Sequence, residues 1–151
     1  MKQYETYKDS GIEWLGKVPG HWKTCKIKHV IRIAHGSDPI TQEGPTPVYG
    51  SGTLCFKTCV EFKVGLTVLL VRKGSLDGPQ YIEGNYWNVD TAFDAKSYGD
   101  LNLRLFYYMA LCFEIERYST QTAVPSMTQS SYNNIDIPIP PLAEQERIVE
   151  Y

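Results

Sequence analysis

LTVLLVRKG, residues 66–74, decides the fold. It is a short run, apolar and rich in β-branched side chains, and it is closed by Gly74. That is too short for a core helix and too apolar for a solvated one, so it predicts a strand buried on both faces. A strand of that kind needs neighbours, and they are found on either side. WKTCKIKHVIRIAHG (22–36) reads as a strand, a helical turn and a second strand, ending at Gly36. Gln80 to Thr91 continues with β-rich aromatic residues, including Tyr81, Tyr86 and Trp87, the latter two expected in the core. Cys55 to Val64 reads as a strand pair around Thr58.

Further out, Leu101 to Tyr118 has apolar residues near helical spacing with Asn102 in its first turn, and predicts a buried helix. Ile135 to Ile139 alternates and carries Pro138, which cannot donate to a ladder, so an edge strand is expected. Pro140-Pro141 stops it, and LAEQERIVEY (142–151) begins another helix, with Pro141 at its first position and Glu144 suited to the helix dipole. Residues 1–21 read as an irregular arm packed through Ile12, Trp14 and Leu15. Residues 36–53 read as a long Gly/Pro loop with one extended piece at Pro47 to Tyr49, and 119–134 as a polar loop. The expected fold is α+β: a twisted, mostly antiparallel sheet, one long buried helix and the start of a C-terminal helix.

Composition narrows the function. The chain has 151 residues, 42% hydrophobic and 21% charged, which suits one globular domain. A net charge of −2 argues against nonspecific coating of nucleic acid. The charge is divided unevenly: residues 1–80 hold eleven Lys/Arg against seven Asp/Glu, residues 81–151 four against ten. A DNA face would therefore draw on the first half. The apolar run Leu105 to Phe113 is too short to span a membrane, and MKQYETYKDSG lacks a signal-peptide core, so a cytoplasmic protein is expected.

Signatures of catalysis are weak. Glu61-Phe62-Lys63, after Asp38, matches the Glu-x-Lys element of metal-dependent nucleases, but three residues recur by chance and a solvated strand face is the preferred reading. Cys55, Cys59 and one of His21, His29 or His35 fit no strong zinc spacing, so neither metal nor cofactor is expected. A methyltransferase Gly-rich loop and an Asn/Asp-Pro-Pro-Tyr motif are both missing from the sequence.

Three segments together resemble a known family. YKDSGIEWLGKVPGHW (7–22) is similar to the lead into recognition domains of type I restriction-modification specificity subunits. LLVRKGSLDGPQY with YWNVDTAF (69–93) resembles the family's core hairpin region. QTAVPSMTQSSYNNIDIPIPPLAEQERIV (121–149) resembles its junction between recognition domain and conserved helix, the most specific of the three. The resemblance implies a non-catalytic subunit that reads double-stranded DNA, each recognition domain taking half of a split target. It also implies docking to methyltransferase subunits, which use S-adenosylmethionine, and to a motor-nuclease subunit. A whole specificity subunit has two recognition domains on antiparallel spacer helices. One domain and the start of one helix are legible here, so a second domain or a second copy is an expected partner. The corresponding division is an arm at 1–21, a recognition domain at 22–139 and the start of a spacer helix at 140–151. An assembly module that reads no DNA is the rival reading.

Candidate DNA contacts follow from residue chemistry. Tyr49, Ser51 and Thr53 sit among glycines, Lys57 and Thr58 at the next turn, and Arg72, Lys73 and Ser75 at the end of a rigid strand. Gln121, Thr122 and Gln129, with Thr120, Ser126 and Thr128, supply uncharged donors and acceptors. Each has a plainer alternative: strand-end charge for Arg72 and Lys73, packing for Tyr49, a cap over the helix end for the polar loop. Lys23, Lys26 and Lys28 read as a solvated face rather than phosphate contacts.

Overall fold

A computed structural model describes residues 4, 6–52, 55–73, 78–115 and 126–151. The 66–74 run forms β7 (Thr67–Val71), buried along its whole length. It lies inside a four-stranded antiparallel sheet of order β4-β10-β7-β8, with β4 at Ile31–Ala34, β8 at Gln80–Ile82 and β10 at Ala92–Ser97. Register pairs Ala92 with Val71, Phe93 with Leu70 and Asp94 with both Leu69 and Ala34. Because the side-chain period is two, Val68, Leu70, Ile31, Ile33, Phe93 and Ala95 share one face, and all belong to the main core. Helix α1 (Leu103–Leu111) covers that face with Leu105, Phe106, Met109 and Ala110. Asn102 caps α1 by accepting from the N–H groups of Arg104 (2.9 Å) and Leu105 (3.2 Å), a contribution of about 1 kcal/mol.

The other face meets a second sheet of order β6-β5-β9, with β5 at Thr46–Tyr49, β6 at Lys57–Cys59 and β9 at Trp87–Asn88. Between them lies a polar node. Tyr86 donates to Asp94 Oδ2 at 2.8 Å, while Lys63 Nζ reaches Asn88 Oδ1 at 2.8 Å and Asp94 Oδ1 at 3.4 Å. Burial and the Asp94 carboxylate push the Tyr86 phenol well up, so it remains a donor. A third pairing joins β3 (Lys23–Lys26) to β11 (Asp136–Ile139), and α3 (Leu142–Glu150) follows Pro141.

Helix α3 is tied down by two buried polar residues. Gln145, 1% exposed, accepts from Asn102 N–H at 2.7 Å and donates to the carbonyls of Asp100 (2.7 Å) and Pro140 (2.8 Å). Glu144 accepts from His21 Nε2 at 2.8 Å and from the Trp22 indole at 3.5 Å.

Four details differ from the sequence reading. The arm is a hairpin, β1 (Tyr7–Asp9) against β2 (Lys17–Pro19). Its connection turns at Gly11 (φ 74°) and Gly16 (φ 77°), with Ser10 bonded to the Gly16 carbonyl, a local arrangement that composition does not reveal. Helix α1 stops at Leu111, capped by Cys112, yet Phe113 and Ile115 stay buried as the chain turns; residues 116–118 lie outside the described residues. Within 55–64 one strand forms, and Lys63 makes only an isolated bridge to Tyr86. The 119–134 loop contains a short helix, α2 (Gln129–Asn133), capped by Thr128.

Candidate nucleic-acid interface

β4 and β7 are both antiparallel to β10, so their C-terminal ends emerge together beside the start of β10. Tyr49, which ends β5, pairs with Asn88 in β9, and Val89 to Thr91 then lead into β10 at the same end. The strand ends converge on Thr91. Its hydroxyl accepts from Ser51 N–H at 3.2 Å, and its carbonyl accepts from Arg72 N–H (2.8 Å) and Lys73 N–H (3.3 Å). Gly36 lets the chain after β4 join them. A Cβ there would lie 2.2 Å from the Val89 carbonyl oxygen, too close for any other residue.

Arg72 donates Nη1 to the Asp90 carbonyl at 3.0 Å, with the Asp90 carboxylate at 3.8 Å. The guanidinium is thereby steadied, and its other N–H groups make no hydrogen bond among the described residues, a useful property in a group with five donors. Beside it opens a cleft of about 240 Å³, lined by His35, Arg72, Lys73, Ser126, Thr128 and Gln129. Lys73 bridges to Ser126, and Met127 N–H donates to the Arg72 carbonyl at 2.7 Å. Helix α2 is fixed here by Tyr132, fully buried, whose hydroxyl donates to the Val71 carbonyl at 2.7 Å and whose ring stands edge-on to Phe93. Gln129 Nε2 in turn donates to the Ile33 carbonyl.

On the other side of Thr91, a hollow of about 540 Å³ is lined by Tyr49, Gln80, Tyr81 and Tyr107. Gln80 donates to the Gly50 and Gly52 carbonyls and holds the 50–52 loop. Burial and then the nearby Cys55 push the Tyr49 phenol up, so it is a donor at neutral pH. Lys57 and Thr58 are exposed on β6, the edge of the second sheet, and the Lys57 ammonium sits 5.3 Å from the Phe56 ring centroid.

Tyr49, Ser51, Arg72, Lys73 and Gln129 are thus gathered at one end of the fold, and Lys57 and Thr58 lie on the adjoining edge strand. Thr53, Ser75, Gln121 and Thr122 lie outside the described residues, as does Thr120. Sequence reasoning missed His35, Asp90 and Thr91, which are brought in by strand ends far apart in the chain.

The Glu-x-Lys pair is engaged elsewhere. Glu61 accepts from the Ile40 and Thr41 N–H groups and from the Thr41 hydroxyl, which holds its carboxyl below the usual range, and Lys63 belongs to the Asp94 node. Among the described residues no cluster of three His, Cys, Asp or Glu is placed to hold a metal ion. No described helix is long and apolar enough to cross a membrane. Of Lys23, Lys26 and Lys28, Lys26 pairs with Asp136 at 3.7 Å, while Lys23 and Lys28 are exposed.

No curated protein matches the chain in sequence. Among solved structures, the type I restriction-modification S subunit from M. genitalium superposes with a TM-score of 0.74 at 18% identity, over 86% of this chain and 37% of that one. The HsdS subunit from Thermoanaerobacter tengcongensis gives 0.69 at 22%, over 96% and 39%. A structure from work on complex assembly and conformational transition of the type I R-M system gives 0.72 at 22%, over 96% and 40%. At these identities the likeness is one of fold, and the chain spans about two fifths of the length of each. The family described as type I restriction modification DNA specificity domain matches residues 19–151, most of the chain. The chain therefore belongs to the type I restriction modification DNA specificity domain family.

Proposed function

We propose that this chain reads one half of a split duplex DNA target and serves as a specificity component that directs methyltransferase and motor-nuclease subunits. The observation that carries the reading is the gathering of Tyr49, Ser51, Arg72, Lys73 and Gln129 around Thr91 in a domain of this family. Those side chains rise from strand ends pinned by the Tyr86–Asp94–Lys63 node and by Tyr132, which supplies the rigidity that base reading needs. Arg72 has the forked donors that suit guanine, and Gln129 the paired donor and acceptor that suit adenine. Lys73 and Lys57 suit phosphates, which set register without carrying sequence. Thr53, Ser75, Gln121 and Thr122 are proposed contacts on residue chemistry alone.

In this reading the chain contributes recognition and its partners contribute chemistry. Residues 22–139 are the recognition domain, and α3 begins the spacer helix through which a second domain or copy is placed. Glu144 and Gln145 set the direction in which α3 leaves the domain. Alanine substitution of Arg72 and Gln129 tests the reading. A base-reading side chain discriminates by about 1–3 kcal/mol, so each variant is expected to relax preference at particular base pairs. Uniform weakening across all sequences would refute base reading by these two residues.

A further inference from the structure

Gln129 borders the cleft at Arg72. Gln129 also lines a second hollow of about 280 Å³, shared with Lys28, Arg32, Tyr98 and Asn133. Gln129 stands between the two hollows: Lys73 and Arg72 border the first, and Arg32 and Lys28 the second. The second hollow is a groove formed on one side by β4, an edge strand of the main sheet, and by the 3-10 turn Ile27–His29 that precedes it.

Arg32 lies directly opposite Lys96 in the β4–β10 register, and like charges facing each other across a pair repel. Lys96 is drawn away to the Val64 carbonyl and lies 5.6 Å from the Tyr86 ring, which leaves Arg32 exposed at the groove. Lys28 is held there by its own carbonyl, which accepts the Tyr98 hydroxyl. Lys26, Lys63 and Arg72 each have an acid within 4 Å, whereas among the described residues neither Arg32 nor Lys28 forms an ion pair. An edge strand and the turn before it, which together hold two cations without an ion pair beside the Asn133 and Gln129 amides, have the chemistry of a phosphodiester site.

We propose that Arg32 and Lys28, with Asn133, grip the sugar–phosphate backbone of the same duplex, flanking the base pairs read at Arg72 and Gln129. The inference rests on the DNA-reading function proposed above. It adds a phosphate track that positions the duplex and carries no sequence preference.

The test is the salt dependence of duplex binding by the full chain, measured for wild type, the double variant Arg32→Ala/Lys28→Ala, and Arg32→Lys. Removing two phosphate contacts is expected to lower the log–log salt slope by about two, so that between about 50 and 200 mM salt the double variant loses about tenfold less affinity than wild type. The order of preferred sequences stays the same, and Arg32→Lys keeps the wild-type slope. Lys8→Ala/Lys17→Ala, which removes two exposed cations from the hairpin, leaves the slope unchanged. An unchanged slope in the Arg32/Lys28 variant overturns the proposal, as does an equal drop in the hairpin variant or an altered sequence preference. Failure of the underlying function looks different: the wild type itself then shows no salt-dependent duplex binding.

Discussion

Replacing Gln145 by Leu is the sharpest probe of how this domain is joined to its C-terminal helix. The side chain is 1% exposed and makes three hydrogen bonds, to Asn102 N–H and to the carbonyls of Asp100 and Pro140. Leu has similar bulk, so the change leaves little cavity and mainly strands the partners. Each net bond is worth about 0.5–1.5 kcal/mol, and a partner left buried without one costs more. Two effects work the other way: Asp100 is exposed, so its carbonyl can recover a water, and the new apolar side chain gains about 1–2 kcal/mol by burial. A net loss of about 2–3 kcal/mol remains. With a urea slope of about 2 kcal/mol/M, the unfolding midpoint should fall by about 1–1.5 M. Glu146→Ala, an exposed neighbour on the same helix, should shift it by no more than about 0.2 M. A Gln145→Leu midpoint within that smaller range would refute the view that Gln145 anchors α3.

Two further perturbations probe the same framework. Burial pushes the Glu144 carboxyl up, but hydrogen bonds from Tyr4, His21 and Trp22 outweigh it and leave the group below its ordinary 4.5. A depressed carboxyl contributes stability above its unfolded value and loses it as the pH falls through the folded one. The stability advantage of wild type over Glu144→Gln should therefore shrink as the pH drops below 4.5, in urea titrations at stepped pH; a constant difference would contradict the assignment. Tyr132→Phe removes the donor to the Val71 carbonyl and should cost about 1–2 kcal/mol in the same assay, with no loss if α2 is held by packing alone.

The sheet was legible because its strands carry their own signal. Thr67–Val71 is buried throughout, Ile31 and Ile33 alternate with Arg32, Pro138 sits in a strand with a single partner, and Pro141 caps the start of α3. Helix α2 was not legible, since Gln129–Asn133 has no apolar period and is held from outside by Tyr132 on Val71 and Phe93. Helix α1 was read too long for a related reason. Phe113 and Ile115 are as buried as helical core residues, but Phe113 packs on Trp14 of the hairpin connection and on Phe106 after the helix has ended. For the site, residue chemistry singled out Arg72, Lys73 and Gln129 one by one. Their meeting at Thr91 and α2 depends on strand order and on the backbone contact at Gly36, which no local pattern encodes. Glu144 and Gln145 belonged to the most recognisable motif in the chain, and the structure supplies the physical reason: they are the buried polar ties of α3.

Selection from randomised duplex DNA, at two salt concentrations and with and without the modification subunits, tests sequence reading most directly. Enrichment of one short half-site that persists at the higher salt, and that relaxes at defined base pairs in Arg72→Ala and Gln129→Ala, is the expected result. Flat enrichment that vanishes with salt, or no duplex binding in either condition, would contradict it.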